Sequence, residues 1–345
     1  MEVVFLTKYF SEGPSSRYRS FNYSKFFDAE GVFYTFSPLF YDGYVSDLYL
    51  KEIPFYKVVK SYLKRFLFLA FTPKKNRFFV IEKELFPNIP FFIEQILLRN
   101  KNYSIDYDDA VFIKYNKNFL LKNKHLKLAR KAKFLSVGNY WYFTQFSKDK
   151  CVYLPTVIDI GKYPPVYKKE QNKPLIICWI GTPSNIKYLK ALIPVFKKLR
   201  DSKIEFKLRI IGGELYEPDL NIENIEWREK TEHLNLAGSD IGIMPLFDSK
   251  WESGKCGFKL IQYMISHLPV IASPSPANKE IISHGENGYI ASTDTEWIFY
   301  LSKLCEDSKL REEIGQRGHD TIIENYSYQK WGPKYVNLIK QQTTN

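Results

Sequence analysis

The chain has 345 residues, 50 basic and 38 acidic, giving a formal net charge of +12; 45% are hydrophobic and 17% aromatic. That length predicts two domains, and so apolar a composition excludes a disordered protein. The positive balance points to an anionic partner, for which nucleic acid, a phosphorylated substrate and an anionic membrane surface all qualify.

Residues 3–6 read as a first buried strand, reached without the basic start and long apolar stretch of a signal peptide. A loop carrying Gly13, Pro14, Ser15, Ser16, Arg17 and Arg19 follows, then a helix through Phe27 that Gly31 closes. Residues 55–71 place apolar side chains at helical spacing among Lys57, Lys60, Lys64 and Arg65. The apolar run 66–71 is far short of the ~20 residues a bilayer span needs. A strand at 78–81, a helix at 93–98 and strands at 134–137 and 152–155 complete the first half. Such alternation predicts a parallel sheet covered on both faces.

The stretch 161–174, with three prolines and a Lys-Lys-Glu-Gln-Asn run, reads as an interdomain linker. The alternation then restarts with a buried strand over 175–180 ending at Gly181, and a helix over 186–199. A strand over 207–211 stops at Gly212-Gly213, and strands at 240–244, 270–272 and 289–291 continue the series. The expectation is an α/β chain of two Rossmann-like, doubly wound domains facing a cleft, with ligand held at the carboxyl ends of the strands. The N-terminal domain spans 1–162, the C-terminal domain 163–325, and 326–345 form a helix packing back toward the first.

The chemistry concentrates in Trp251-Glu252-Ser253-Gly254-Lys255-Cys256-Gly257-Phe258-Lys259, just ahead of an apolar helical run. Glycine lets backbone approach a ligand, and a helix N-terminus with ammonium groups is a ready anion site. Lys255 and Lys259 would neutralise a diphosphate as compact point charges, against the alternative of a solvated basic patch. Gly181-Thr182-Pro183-Ser184 opens a helix after a strand, as a phosphate turn or as a plain capped connection. Asp106-Tyr107-Asp108-Asp109 admits three readings: a divalent-metal cluster, a helix cap, or carboxylates facing sugar or acceptor hydroxyl. Cys151, Cys178, Cys256 and Cys305 are far apart and read as reduced thiols of a cytosolic protein, and the five histidines are scattered.

Residues 251–273, Asn278-Lys279-Glu280-Ile281-Ile282, His284-Gly285-Glu286-Asn287-Gly288 and Ser239-Asp240-Ile241-Gly242-Ile243-Met244-Pro245-Leu246 resemble the C-terminal signature of family 4 glycosyltransferases of the GT-B fold. Ser15-Ser16-Arg17-Tyr18-Arg19, Glu84-Leu85-Phe86-Pro87, Asp106-Tyr107-Asp108-Asp109-Ala110, Val137-Gly138-Asn139 and Pro155-Thr156-Val157-Ile158-Asp159 resemble one bacterial branch of that family. The resemblance implies retaining transfer of a sugar from a nucleotide-sugar, UDP- or GDP-linked, with no obligatory cofactor or metal. It also implies two donor-site glutamates eight positions apart, the first on the sugar hydroxyls and the second on the ribose. Here Gly254 and Gln262 stand at those places, Glu252 is the nearest other carboxylate, and the usual Arg and Lys after the first C-domain strand are absent.

The resulting site assigns Lys259, Asp108 and Asp109 to catalysis. Donor binding falls to Gly13, Arg17, Gly181, Thr182, Trp227, Lys255, Gly257, Phe258 and Gln262, with no metal. The partners expected are a nucleotide-sugar and a glycan or polyprenyl-linked acceptor, in bacterial surface-polysaccharide synthesis and in the cytoplasm or at the inner face of its membrane. Residues 56–71 read either as a peripheral membrane patch or as an ordinary helix with a solvated basic face. Two other functions stand against the enzyme: a degenerate nucleotide- or glycan-binding protein, prompted by Gly254, and a nucleic-acid binder. The second lacks a recognisable module, and the basic residues are spread rather than clustered, so no nucleic-acid partner is expected.

Overall fold

The computed structural model describes residues 2–73, 75–163 and 174–342, so most of the linker expected over 161–174 lies outside the described residues. The chain divides into two compact units. One comprises Met1–Thr156, Gly254–Cys256 and Gln329–Asn345; the other comprises Val157–Ser253 and Gly257–Tyr328.

The first unit runs β1 (Glu2–Leu6), α1 (Pro14–Arg19), α2 (Ser24–Ala29), β2 (Phe33–Phe36), α3 (Tyr44–Leu50), α4 (Phe55–Phe71), β3 (Arg77–Glu82), α5 (Phe91–Leu98), β4 (Asn102–Tyr107), α6 (Lys124–Lys131), β5 (Leu135–Val137) and β6 (Cys151–Tyr153). Its six strands are all parallel in the order β2-β1-β3-β4-β5-β6. Val3 through Leu6 and Phe78 through Ile81 are buried one after another, as expected of strands covered on both faces. The order reverses between β1 and β3, the switch point where doubly wound sheets open a ligand crevice at the carboxyl ends.

The second unit runs β7 (Leu175–Ile180), α7 (Ile186–Lys190), α8 (Ile193–Asp201), β8 (Phe206–Ile211), β9 (Ile222–Ile225), α9 (Glu232–Ala237), β10 (Ile241–Met244), α10 (Lys250–Ser253), α11 (Phe258–Ile265), β11 (Val270–Ala272), α12 (Pro276–Ile281), β12 (Tyr289–Ile290), α13 (Asp294–Glu306) and α14 (Ser308–Asn325). The final helix, α15 (Tyr328–Gln341), joins the first unit from Gln329 onward, where Tyr335 packs on Tyr23 and Phe27. The sheet order β12-β11-β10-β7-β8-β9 is the Rossmann order, with its switch between β7 and β10. Alternate residues serve opposite faces: Ile177 and Trp179 join one apolar cluster, Cys178 and Ile180 the other.

The helix expected over 186–199 is two helices, α7 and α8, because Pro194 sits in the first turn of α8 and cannot continue a preceding helix. Strands β2, β4 and β9 were not anticipated. Two of the three carry polar residues that interrupt an apolar run: in β4 Ser104 is buried and Asp106 is buried on Arg19 and Ser136, and Glu223 in β9 pairs with Arg209.

Candidate functional site

In the second unit, β7 and β10 pair only through Ile177–Ile241 and Cys178–Gly242, then part. The Tyr263 hydroxyl, reaching up from α11, fills the split: it accepts from the Ile180 N–H at 2.8 Å and donates to the Ile243 carbonyl at 3.2 Å. Gly242 admits that ring, since a Cβ there would lie 2.5 Å from it. Tyr263 was missed in the sequence, where it reads as one more core aromatic. It wedges the two strands apart at the switch point, where a crevice belongs.

Three of the expected donor residues, Gly181, Thr182 and Trp227, gather at this crevice with Lys259, expected in catalysis. A Cβ on Gly181 would lie 2.7 Å from the Trp179 ring and 2.9 Å from Lys259 Nζ, so only glycine allows that approach. The Lys259 ammonium stands over the Trp179 ring, 4.4 Å from its centroid, a cation–π contact that fixes the side chain at the end of β7. The Thr182 hydroxyl accepts from Asn185 Nδ2 at 2.9 Å and lies 3.0 Å from the Ser184 hydroxyl. Gly212 is left-handed (φ 79°), and its Cβ would lie 2.6 Å from the Gly181 carbonyl and 3.0 Å from Trp227 Cβ. Trp227 itself donates its indole N–H to Glu232, which also accepts from Tyr163.

Gly257 starts α11 in the left-handed conformation (φ 66°), where a Cβ would meet Ile281 at 2.5 Å. The Asn278 side chain is fully buried; its amide donates to the Ser273 carbonyl at 2.8 Å, while its Oδ1 lacks a hydrogen-bond partner among the described residues. Phe258 packs its ring against the apolar cluster beneath, leaving Lys259 and the buried Gln262 three residues apart on one helix face. Glu252 is not a spare carboxylate: it accepts from the Tyr188 and Ser249 hydroxyls.

In the first unit the expected residues fall around a lysine the sequence reading passed over. Lys83 follows β3 in the left-handed region (φ 63°), unusual for a residue bearing a Cβ. Its ammonium reaches Asp108 at 2.8 Å, Asp109 at 3.1 Å and the Ser15 hydroxyl at 2.9 Å. Lys83 and Arg19 hold the Asp108 carboxyl below its ordinary value against burial, and those carboxylates in turn hold the Lys83 ammonium well above its own. Asp109 is the more exposed of the pair, at 35% against 12%. Asp106 turns away into a buried pair with Arg19, whose Nε and Nη2 donate at 2.9 and 2.5 Å, and it also accepts from Ser136. With Arg19 on Asp106 and Lys83 on both Asp108 and Asp109, the run is built as three ion pairs on two cations. Among the described residues no group of His, Cys, Asp and Glu could hold a metal.

Gly13 precedes α1, where a Cβ would lie 2.6 Å from Tyr9. Arg17 is buried, donates to the Ser11 carbonyl at 3.2 Å and stacks on Tyr18. The segment Gly254–Cys256 is held by its backbone: Tyr142 donates to the Gly254 carbonyl at 2.7 Å and Asn139 to the Lys255 carbonyl at 2.8 Å. A Cβ on Gly254 would lie 2.4 Å from Ala110 Cβ, 2.8 Å from the Ala110 nitrogen and 2.9 Å from the Tyr142 hydroxyl. That position has no room for a side chain of any kind.

Residues 174–307 match the family model described as Glycosyl transferases group 1. A probable sucrose-phosphate synthase of Thermosipho melanesiensis is 26% identical over 115 residues, covering 33% of this chain and 26% of that protein, so the chain matches about a quarter of that relative's length. Among solved structures, the sucrose-phosphate synthase of Thermosynechococcus elongatus superposes with a TM-score of 0.72 at 12% identity, over 99% of this chain and 98% of that one. Anabaena HepE in complex with UDP-glucose superposes with a TM-score of 0.69 at 12% identity, over 99% of this chain and all of that one. The chain has the GT-B fold of these glycosyltransferases.

Proposed function

We propose, from the match of residues 174–307 to the group 1 glycosyltransferase model in a chain of GT-B fold, that this is a retaining enzyme of family 4 type. It moves a sugar from a nucleotide diphosphate, UDP before GDP, to a glycan or polyprenyl-linked acceptor of bacterial surface-polysaccharide synthesis. The observation that carries the reading is the Lys259 ammonium beside Gly181 at the β7–β10 switch. Departure of the nucleoside diphosphate is the demanding charge event, and a preorganised ammonium and helix N-terminus lower its barrier. In this reading Thr182, Gly257 and Phe258 shape the phosphate turn, Gln262 meets the ribose through its amide, and Trp227 lies toward the base. Lys255 adds a second positive charge for the diphosphate. Gly13, Arg17, Asp108 and Asp109 serve the acceptor and the transferred sugar from the first unit, Asp109 as the proton acceptor. The enzyme works in the cytoplasm, at the inner face of the membrane.

Thermal-shift titration with UDP-, GDP- and ADP-sugars identifies the donor, since a ligand stabilises the fold by its own affinity. Lys259→Ala is expected to cut turnover by roughly 100- to 1000-fold with the melting temperature kept, the scale for losing one preorganised charge contact. Near-normal turnover in that variant sinks the phosphate assignment. Gly254 favours a second reading, a site that binds nucleotide-sugar without turnover. Donor hydrolysis or transfer by the purified chain eliminates it.

A further inference from the structure

A helix on the surface of a water-soluble domain turns its apolar stripe to the core and its polar face to solvent. Helix α4 does the reverse. Its core side carries Ser61, Arg65 and Leu69, and Arg65 is spent on the backbone, donating to the Thr7 carbonyl at 2.7 Å and to that of Ser37. Its outward side carries Phe55, Tyr56, Val59, Leu63, Phe66 and Leu67, ending at Phe71; Phe55 and Phe71 are about four-fifths exposed, at 81% and 80%. Positions 55, 59, 63 and 66 follow the four- and three-residue spacing of one helical face, so this is a continuous stripe rather than scattered exposure. Helix α5 packs beside α4 and extends the surface with Phe92 and Ile96, one turn apart and both exposed.

Along one border run Lys57, Lys60 and Lys64, again at three- and four-residue spacing, and α4 contains no acidic residue at all. The acid of α5, Glu94, is fully buried on Lys124. An isologous contact between two copies would set these lysines against their own kind. An anionic bilayer satisfies both features, the stripe entering the acyl boundary and the ammonium groups lying among headgroups. Among the described residues no helix is long and apolar enough to cross a membrane, so the contact is one of surface binding.

We propose that the outward face of α4, continued by α5, docks the protein on an anionic lipid bilayer. Arg65 ties α4 to the carbonyls that follow β1 and β2, so the half of α4 ahead of it stands at the carboxyl edge of the first sheet. Lys83 and its carboxylates follow β3 and β4 at that same edge. Docking there brings the membrane surface to the side of the unit where an acceptor is to be received.

The full chain is tested by flotation with mixed phosphatidylglycerol–phosphatidylcholine vesicles and with pure phosphatidylcholine vesicles, without any sugar donor, so the outcome is independent of transferase activity. Wild type is expected to bind the anionic vesicles and to lose binding in high salt. K60Q/K64Q weakens binding about fivefold per lysine, and L63E/L67E abolishes it, both with unchanged melting temperature because these side chains face outward. Failure of wild type to bind, equal binding by all three proteins, or a wild-type dimer in sedimentation that L63E/L67E converts to monomer overturns the proposal.

Discussion

Lys83→Met tests whether the buried charge cluster of the first unit is built as described. The substitution keeps the length and most of the volume of the side chain, and with it the left-handed backbone, while deleting the ammonium that touches Asp108, Asp109 and Ser15. The Lys83 and Asp108 side chains are only 8% and 12% exposed, so removing one partner leaves a desolvated carboxylate, a loss of about 3–5 kcal/mol. Asp109, one-third exposed, adds little to that, on the scale of about 0–1 kcal/mol for a solvated pair. At about 2–4 °C per kcal/mol for a unit of this size, the first unit's melting temperature drops by roughly 6–20 °C.

The pH dependence separates this from generic damage. In the parent, Lys83 and Arg19 depress Asp108, so its stabilisation is present above the unfolded carboxyl value and is lost as pH falls through the depressed folded one. In the variant the Lys83 contribution is gone and burial, the largest single influence on Asp108, pushes the carboxyl up. Its penalty is then present at neutral pH and relieved by protonation in acid. The gap between parent and variant, measured by urea denaturation, is therefore widest near neutrality and narrows toward pH 4. A gap below about 1 kcal/mol, or one that does not change with pH, refutes the buried-pair account.

Gly254→Glu, which restores the carboxylate that the family resemblance implies, is expected to destabilise by about 1–3 kcal/mol or more through overpacking on Ala110 and Tyr142 and to leave transfer no faster; an unchanged melting temperature would show that the segment yields freely. His125 is fully buried beside Lys124, its Nδ1 2.8 Å from the Tyr107 hydroxyl, and its imidazole is held down to about 3. The unfolded chain takes up that proton first, so stability declines as pH falls from about 6.5 toward 3. His125→Gln should flatten that part of the acid limb in denaturation midpoints, and an unaltered slope would remove His125 as its cause.

What could be read from the residues follows from which forces leave a periodic trace. Helix α4 was placed at its observed limits because apolar spacing of three and four residues is visible without context, yet which way its apolar stripe faces is not in the pattern. Only the packed structure shows Arg65 turned inward to the Thr7 carbonyl. Strand β4 left no such trace, since Ser104 and Asp106 are polar and buried, and the partners that permit the burial of Asp106, Arg19 and Ser136, are distant in sequence. Lys83 was passed over for the same reason. A lysine after a strand reads as a solvated charge until Ser15, 68 residues earlier, is brought to it. Lys259 and Gly181 were legible singly, each from local chemistry, and their adjacency is what the fold supplied.

Gly254 bears on both readings of the function. The family resemblance implies a glutamate at this place, and a side chain of that size would need open space there. The space is instead closed, by the Ala110 backbone and the Tyr142 hydroxyl, and the Gly254 and Lys255 carbonyls are held by Tyr142 and Asn139. A hydrogen-bonded, close-packed backbone is what remains when a whole set of neighbours has adapted to glycine, because an unadapted cavity costs stability. Such adaptation fits either a transferase that recognises its sugar with other groups or a binding protein that has abandoned recognition. The charge machinery separates them. Lys259 beside Gly181, the Tyr263 wedge and the left-handed Gly257 leave the crevice at the β7–β10 switch built, with Asn278 Oδ1 lacking a hydrogen-bond partner there among the described residues. A half-buried ammonium set over an aromatic ring is positive charge already placed for an anion. Under the proposed reading, that geometry favours an active enzyme that meets its sugar with groups other than a carboxylate at position 254.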